Sequence, residues 1–187
     1  GNKAGENSGG GIWSGGTDTF LTVRGDTRIT HNETVAGNGG GIYFNSQDGS
    51  LILEGNTAIQ NNLANREPST FGNHGGGVCV VPGNLSMLDN VDISGNNALL
   101  YGGGLSLSEE VTARLLGGAI HDNATAGVGG GVYNNAGSRV EVTGTTLYGT
   151  RAPIGVALYT RHDAPAALFA TALIGVPDVN TANLYAP

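Results

Sequence analysis

Two small sets of residues in this 187-residue chain have side chains and spacings suited to chemistry. Trp13, Tyr43 and Tyr133 each follow a branched aliphatic residue that itself follows a run of glycines, and Cys79 and Ser106 hold the same position between them. Aromatic rings repeated along one rigid face offer platforms for the apolar faces of sugar rings. These three residues are therefore the candidates for carbohydrate binding. Asp18 and Asp48 each lie seven residues after the last glycine of such a run and three before a leucine, Leu21 or Leu51. If the two segments stack as neighbouring strands, the carboxylates stand about 5 Å apart. That suits a Ca²⁺ pair, or the acid and nucleophile of a retaining glycosidase. The competing role is a turn aspartate bonding its own backbone.

The remaining motifs carry less. Arg24-Gly25-Asp26 spells an adhesive tripeptide at a turn, but its glycine belongs to a turn column with Gly55, Gly117 and Gly144. Asn84-Leu85-Ser86 is a glycosylation sequon placed on a turn, whereas Asn32 and Asn123 head sequons at positions expected to face inward. The four histidines, His31, His74, His121 and His162, lack metal-ligand spacing, and a single cysteine excludes an internal disulfide or a thiolate cage. A net charge of −7, with one lysine and seven dispersed arginines, gives no basic stripe for nucleic acid or for an anionic membrane surface. No apolar run approaches the roughly 20 residues of a membrane span, and the first residues do not read as a signal peptide.

What must position these side chains is a repeat. Three glycines followed by an aliphatic residue occur at Gly9–Ile12, Gly39–Ile42, Gly75–Val78, Gly102–Leu105 and Gly129–Val132, with a weaker copy at Gly155-Val156. From Gly11 through Gly41, Gly77, Gly104 and Gly131 to Gly155, the steps are 30, 36, 27, 27 and 24 residues. Each unit continues with a short alternating run such as Leu51-Ile52-Leu53, a Gly or Asn turn, a second run ending near Ile59, and an asparagine. Alternation with period two marks strands, and no stretch sustains a helical period. Three short strands in about 27 residues, without a helix, match one turn of a parallel β-solenoid. A propeller blade needs four strands and some 40 residues.

Stacking gives each repeated position a task. Ile12, Ile42, Val78, Leu105, Val132 and Val156 are expected to form one inward column, and Ile29, Ile59, Ile93, Ile120, Leu147 and Leu173 another. Asn32, Asn62, Asn96 and Asn123 are expected to stack as an amide ladder at one bend, bonding the backbone and the next asparagine. The glycine triplets mark a second bend, where a Cβ is excluded. The long second unit inserts Asn65–Asn73, placed to cover Tyr43 and Cys79.

The pattern Asn62-Leu63-Ala64 with Gly39-Gly40-Gly41-Ile42-Tyr43, an L-x-L strand and a second asparagine resembles the right-handed parallel β-helix repeats of bacterial surface proteins, including the polymorphic outer-membrane proteins. The third glycine stands where that family has Ala, and Ile where it has Phe. The resemblance implies an exported, secreted or cell-surface protein of the adhesin or passenger kind.

The expectation is thus an all-β, right-handed, single-stranded parallel β-helix of about six coils of three short strands, forming one domain over 1–187. Residues 1–8 read as the tail of a preceding coil, and 156–187 as a degenerate, capping last coil. The expected function is a non-enzymatic structural or adhesive module of a longer surface protein or assembly. Its partners are a host or cell-surface glycan or protein, or further coils meeting its open ends, without nucleic acid or membrane insertion. The alternative is a polysaccharide-binding protein, or a lyase or hydrolase acting on polysaccharide. No cofactor is expected beyond the Ca²⁺ that Asp18 and Asp48 suggest.

Overall fold

The computed structural model describes residues 1–6, 9–64, 72–169, 172–174 and 184–185. All strands pair in parallel with their equivalents in neighbouring coils, and no helix occurs among the described residues. The chain is a parallel β-solenoid of about six turns with four sheets.

Sheet I follows the glycine triplets: Ile12–Thr17, Ile42–Gln47, Val78–Val80, Leu105–Leu107, Val132–Asn134, Leu158–Thr160 and Leu184–Tyr185. Sheet II comprises Phe20–Val23, Ser50–Leu53, Gly83–Met87, Val111–Leu115, Arg139–Thr143 and Ala166–Phe169. Sheet III comprises Arg28–Thr30, Ala58–Gln60, Asp92–Ser94, Ala119–His121, Thr146–Tyr148 and Ala172–Ile174. These are the three strands expected of each unit. A fourth sheet adds Lys3–Glu6, Glu33–Ala36, Leu63–Ala64, Asn97–Ala98 and Ala124–Thr125. Most of its strands have only two residues, too few to show a period in sequence.

Alternation sets the register. Along Val111–Leu115 buried and exposed side chains alternate strictly, so Val111, Ala113 and Leu115 enter the core while Thr112 and Arg114 face water. Stacked inward positions form continuous aliphatic columns. Ile29, Ile59, Ile93, Ile120, Leu147 and Leu173 pair in register through all six coils, as expected. Each fully buried Leu or Ile, such as Leu51, Ile93 or Leu105, contributes roughly 1.5–3 kcal/mol by leaving water. Beside the glycine corner the inward residues of sheet IV are the small Thr34, Ala64, Ala98 and Thr125, all buried.

That corner joins two ladders. Asn96 shows the pattern: its Oδ1 accepts from the backbone N–H and Nδ2 of Asn62 at 2.9 and 3.0 Å, while its own Nδ2 donates to the Ile59 carbonyl at 2.8 Å and to Asn123 Oδ1 at 3.0 Å. Asn2, Asn32 and Asn62 continue the chain of bonds, so buried polar groups at the bend satisfy one another. The glycine triplet packs against this ladder. Gly39 has φ +64°, and a Cβ on Gly41 would lie 2.6 Å from the Gly77 carbonyl oxygen and 3.0 Å from Asn62 Nδ2. The stripe free of side chains therefore faces the amide ladder and the next coil.

The sixth coil differs from the sequence reading by two residues. Val132 pairs with Leu158, not Val156, and Gly130 N–H donates to the Gly155 carbonyl. Gly155 thus stands at the first position of a degenerate triplet, Gly155-Val156-Ala157, and Leu158 continues the inward column. Because the triplet has decayed to a single glycine at its first position, Tyr159 rather than Ala157 falls in the aromatic column.

Candidate functional site

Sheet I breaks its own alternation. In Ile42–Gln47 inward and outward side chains differ in burial, but Val78–Val80, Leu105–Leu107 and Val132–Asn134 are buried at every position. Something therefore covers the outer face of the middle coils. The cover comes from the segments just before the triplets, where His74, Tyr101, Val128 and Ile154 form a ladder of single parallel bridges. Of the expected covering insertion Asn65–Asn73, residues 65–71 lie outside the described residues, while Asn73 and His74 are in place beside this ladder.

The outward column runs Trp13, Tyr43, Cys79, Ser106, Tyr133, Tyr159 and Tyr185 by strand register. Its members meet different surroundings. Trp13 is 56% exposed, Tyr43 is half-buried, and Cys79, Ser106 and Tyr133 are buried. Tyr133 was expected on an open row. Instead it lies under Tyr101, whose ring stacks on it at 4.6 Å, and it stacks on Tyr159 at 5.6 Å. The His74 ring meets Tyr101 edge-on at 4.7 Å. His74, Tyr101 and Tyr159 are members of this cluster that the sequence reading did not select.

Beside the rings lies a groove of about 510 Å³. Its aromatic walls are Tyr43, His74 and Tyr101, and its polar groups are Asn38, Ser108, Glu109 and Asn135. The hydrogen bonds fix the edges. Asn45 Nδ2 donates to the Tyr43 hydroxyl at 3.2 Å, Tyr133 donates to Asn135 Oδ1 at 2.9 Å, and Asn38 Oδ1 accepts from the His74 N–H at 3.2 Å. Glu109 and Glu110 both have left-handed backbone, with φ of +62° and +53°. Two consecutive non-glycine residues in that region hold the Glu109 carboxylate at the groove at a conformational cost.

Burial sets the protonation of these groups. It lowers the His74 imidazole to about 4, so the ring is neutral near pH 7. Burial also raises the phenols of Tyr43 and Tyr133, aided at Tyr43 by the neighbouring Cys79, so both remain hydroxyl donors. Cys79 is fully buried, which pushes its thiol well above the ordinary range and leaves it unreactive. Among the described residues the groove therefore offers aromatic faces, phenol and amide hydrogen bonds, and one carboxylate. It has the makings of a binding surface for a polyhydroxylated molecule.

The other sequence candidates fall elsewhere. Asp18 and Asp48 do stand at equivalent turn positions, because Thr17 pairs with Gln47 and Phe20 with Ser50. Both are exposed with positive φ, +51° and +61°, as turn aspartates are. Among the described residues no group of three or more His, Cys, Asp or Glu side chains is disposed to hold a metal. Asn84 lies within a strand of sheet II rather than on a turn. Arg24, Gly25 and Asp26 form an exposed turn in which Asp26 Oδ1 accepts from Asn56 Nδ2 at 2.9 Å.

Sheet III assembles a cluster that local spacing could not reveal. His121 Nε2 lies 3.1 Å from Asp92 Oδ1, its Nδ1 lies 2.8 Å from Asp122 Oδ2, and its ring stacks on Tyr148 at 4.5 Å. Gln60 Nε2 donates to Asp92 at 2.7 Å. The carboxylates occupy opposite nitrogens of one ring, so the three side chains do not converge on a single ion. They act as a brace across coils.

Comparison of the chain with protein-family models, curated proteins and solved structures finds no match.

Proposed function

We propose that the chain is a structural and adhesive β-solenoid module that works outside the cell or at its surface and binds a glycan in the groove on the outer face of sheet I. The observation that carries this reading is the aromatic cluster of Tyr101, Tyr133 and Tyr159 with His74, set beside a groove that also presents the amides of Asn38 and Asn135, the Ser108 hydroxyl and the Glu109 carboxylate. Sugar rings need both elements, an apolar face to stack and planar polar groups to bond their hydroxyls. Four continuous sheets supply a stiff support, so the groove is preformed and little ordering is required on binding. The repeat's resemblance to surface-protein β-helices supports the extracellular setting.

Glycan-array screening followed by calorimetric titration tests the proposal. Saturable binding that Tyr101→Ala weakens at least tenfold supports it, whereas no binding to any glycan overturns it. The same incubations read for reducing ends or unsaturated sugars address the degradative alternative, which predicts turnover rather than simple binding.

A further inference from the structure

We infer that the sheet I groove selects neutral sugars with free vicinal hydroxyls over acidic sugars, and that Glu109 is the residue determining this choice. The inference rests on the glycan-binding reading above and assigns its ligand class. Three independent observations support it. First, among the described residues Glu109 is the charged group lining the groove near neutral pH: the other ionisable side chains there are the Tyr43 and Tyr101 phenols and the His74 imidazole, which burial holds at about 4. Arg161 reaches Asn135 Oδ1 at 3.4 Å but does not line the groove.

Second, the backbone holds Glu109 there against its own preference. In the next coil the equivalent turn is Ala136-Gly137, in which only the counterpart of Glu110 is left-handed, a glycine at φ +75°, while Ala136, the counterpart of Glu109, is not. The fourth coil instead has glutamates at φ +62° and +53°. A strained pair at the rim of a groove is a place where sequence departs from what folding alone favours. Third, the chemistry is directional. A carboxylate only accepts, and its two oxygens can take two adjacent sugar hydroxyls. The same charge repels uronates and sulfated sugars, in a molecule whose net charge is already −7.

The experiment titrates the intact chain with neutral tetrasaccharides of glucose, mannose and galactose, and with tetragalacturonate, at low salt. At least one neutral ligand is expected to bind tenfold or more tightly than the uronate. Glu109→Gln should narrow that ratio at least fivefold, through weaker neutral binding and stronger uronate binding. Glu110→Gln, one residue along the turn and outside this groove, should leave the ratio unchanged. Raising salt from about 20 to about 500 mM should strengthen uronate binding relative to neutral binding even without a variant, because repulsion is screened. If neither sugar class binds, the glycan reading itself fails. If sugars bind but the wild type prefers the uronate or shows no preference, or if Glu109→Gln leaves the ratio unchanged, the inference fails while the glycan reading stands.

Discussion

The inner corner and the outer face of sheet I obey opposite rules. At the corner, coil after coil repeats the same types: Asn2, Asn32, Asn62, Asn96 and Asn123 in one ladder, with glycines packed on it. On the outer face the column changes at almost every step, from Trp13 to Tyr43, Cys79, Ser106, Tyr133 and Tyr159. Uniform positions can only make each coil accept the next, since the asparagines bond their own copies and the isoleucine carbonyls of neighbouring coils. Variable positions can build something local. Only in the middle coils do small residues, Cys79 and Ser106, occur between tyrosines and leave room for Tyr101 and His74 to fold over the sheet. The fold is invested in the repetition and the candidate site in its interruption.

The sharpest way to break this contrast is at the corner. Asn96→Ala removes the side-chain partner of the Asn62 N–H and Nδ2 and of the Ile59 carbonyl, and one of the two bonds to Asn123 Oδ1, which keeps the Asn96 backbone N–H. Buried groups left unsatisfied cost about 1–3 kcal/mol each, without simple additivity. A loss of about 4 kcal/mol in urea unfolding is expected, and a loss below about 1 kcal/mol would show that the ladder is dispensable.

Acid probes the outer face. His74 has its folded pKa lowered to about 4 from the ordinary 6.5, so the unfolded chain binds more protons between those values. Its contribution to stability is present above pH 6.5 and is lost as pH falls toward 4, amounting to at most about 3 kcal/mol. Urea midpoints measured from pH 7 to pH 4 should fall for the wild type and fall less for His74→Gln. Equal slopes would place the pH sensitivity elsewhere.

Tyr101→Ala separates site from fold. It uncovers Tyr133 and removes one groove wall, and it should weaken glycan binding at least tenfold, about 1.4 kcal/mol. The ladder bonds do not involve it, so the variant should keep the far-ultraviolet circular dichroism of the wild type. The smallest effect belongs to Arg114→Ala on sheet II, where the pair with Glu141 at 3.4 Å is largely exposed. A change below about 0.5 kcal/mol is expected from thermal unfolding, and no change in glycan binding.

The same contrast explains what could be read from sequence. Glycine triplets and Ile29, Ile59, Ile93 and Ile120 announce themselves because a repeat writes the same residue at the same place, and the parallel solenoid and its amide ladder follow. The outer column was legible as a position, since Trp13, Tyr43 and Tyr133 share a place after the aliphatic residue. The covering of Tyr133 by Tyr101 and His74 was not, because His74 and Tyr101 precede their triplets by one residue and resemble no other member of their ladder, Val128 or Ile154. Leu158 and Tyr159 were displaced by the decay of the last triplet to Gly155-Val156-Ala157. Asp92, His121 and Tyr148 meet through stacking across coils some 27 residues apart, which no local motif encodes.

The most direct test of the central claim is a map of backbone amide shifts as glycans found by array screening are titrated into the labelled chain. The account predicts saturable shifts concentrated at Asn38, Tyr43, His74, Tyr101, Glu109 and Asn135, with the Asn32, Asn62, Asn96 and Asn123 amides unmoved. Shifts clustered on sheets II or III, or no saturable shift with any glycan, would contradict it.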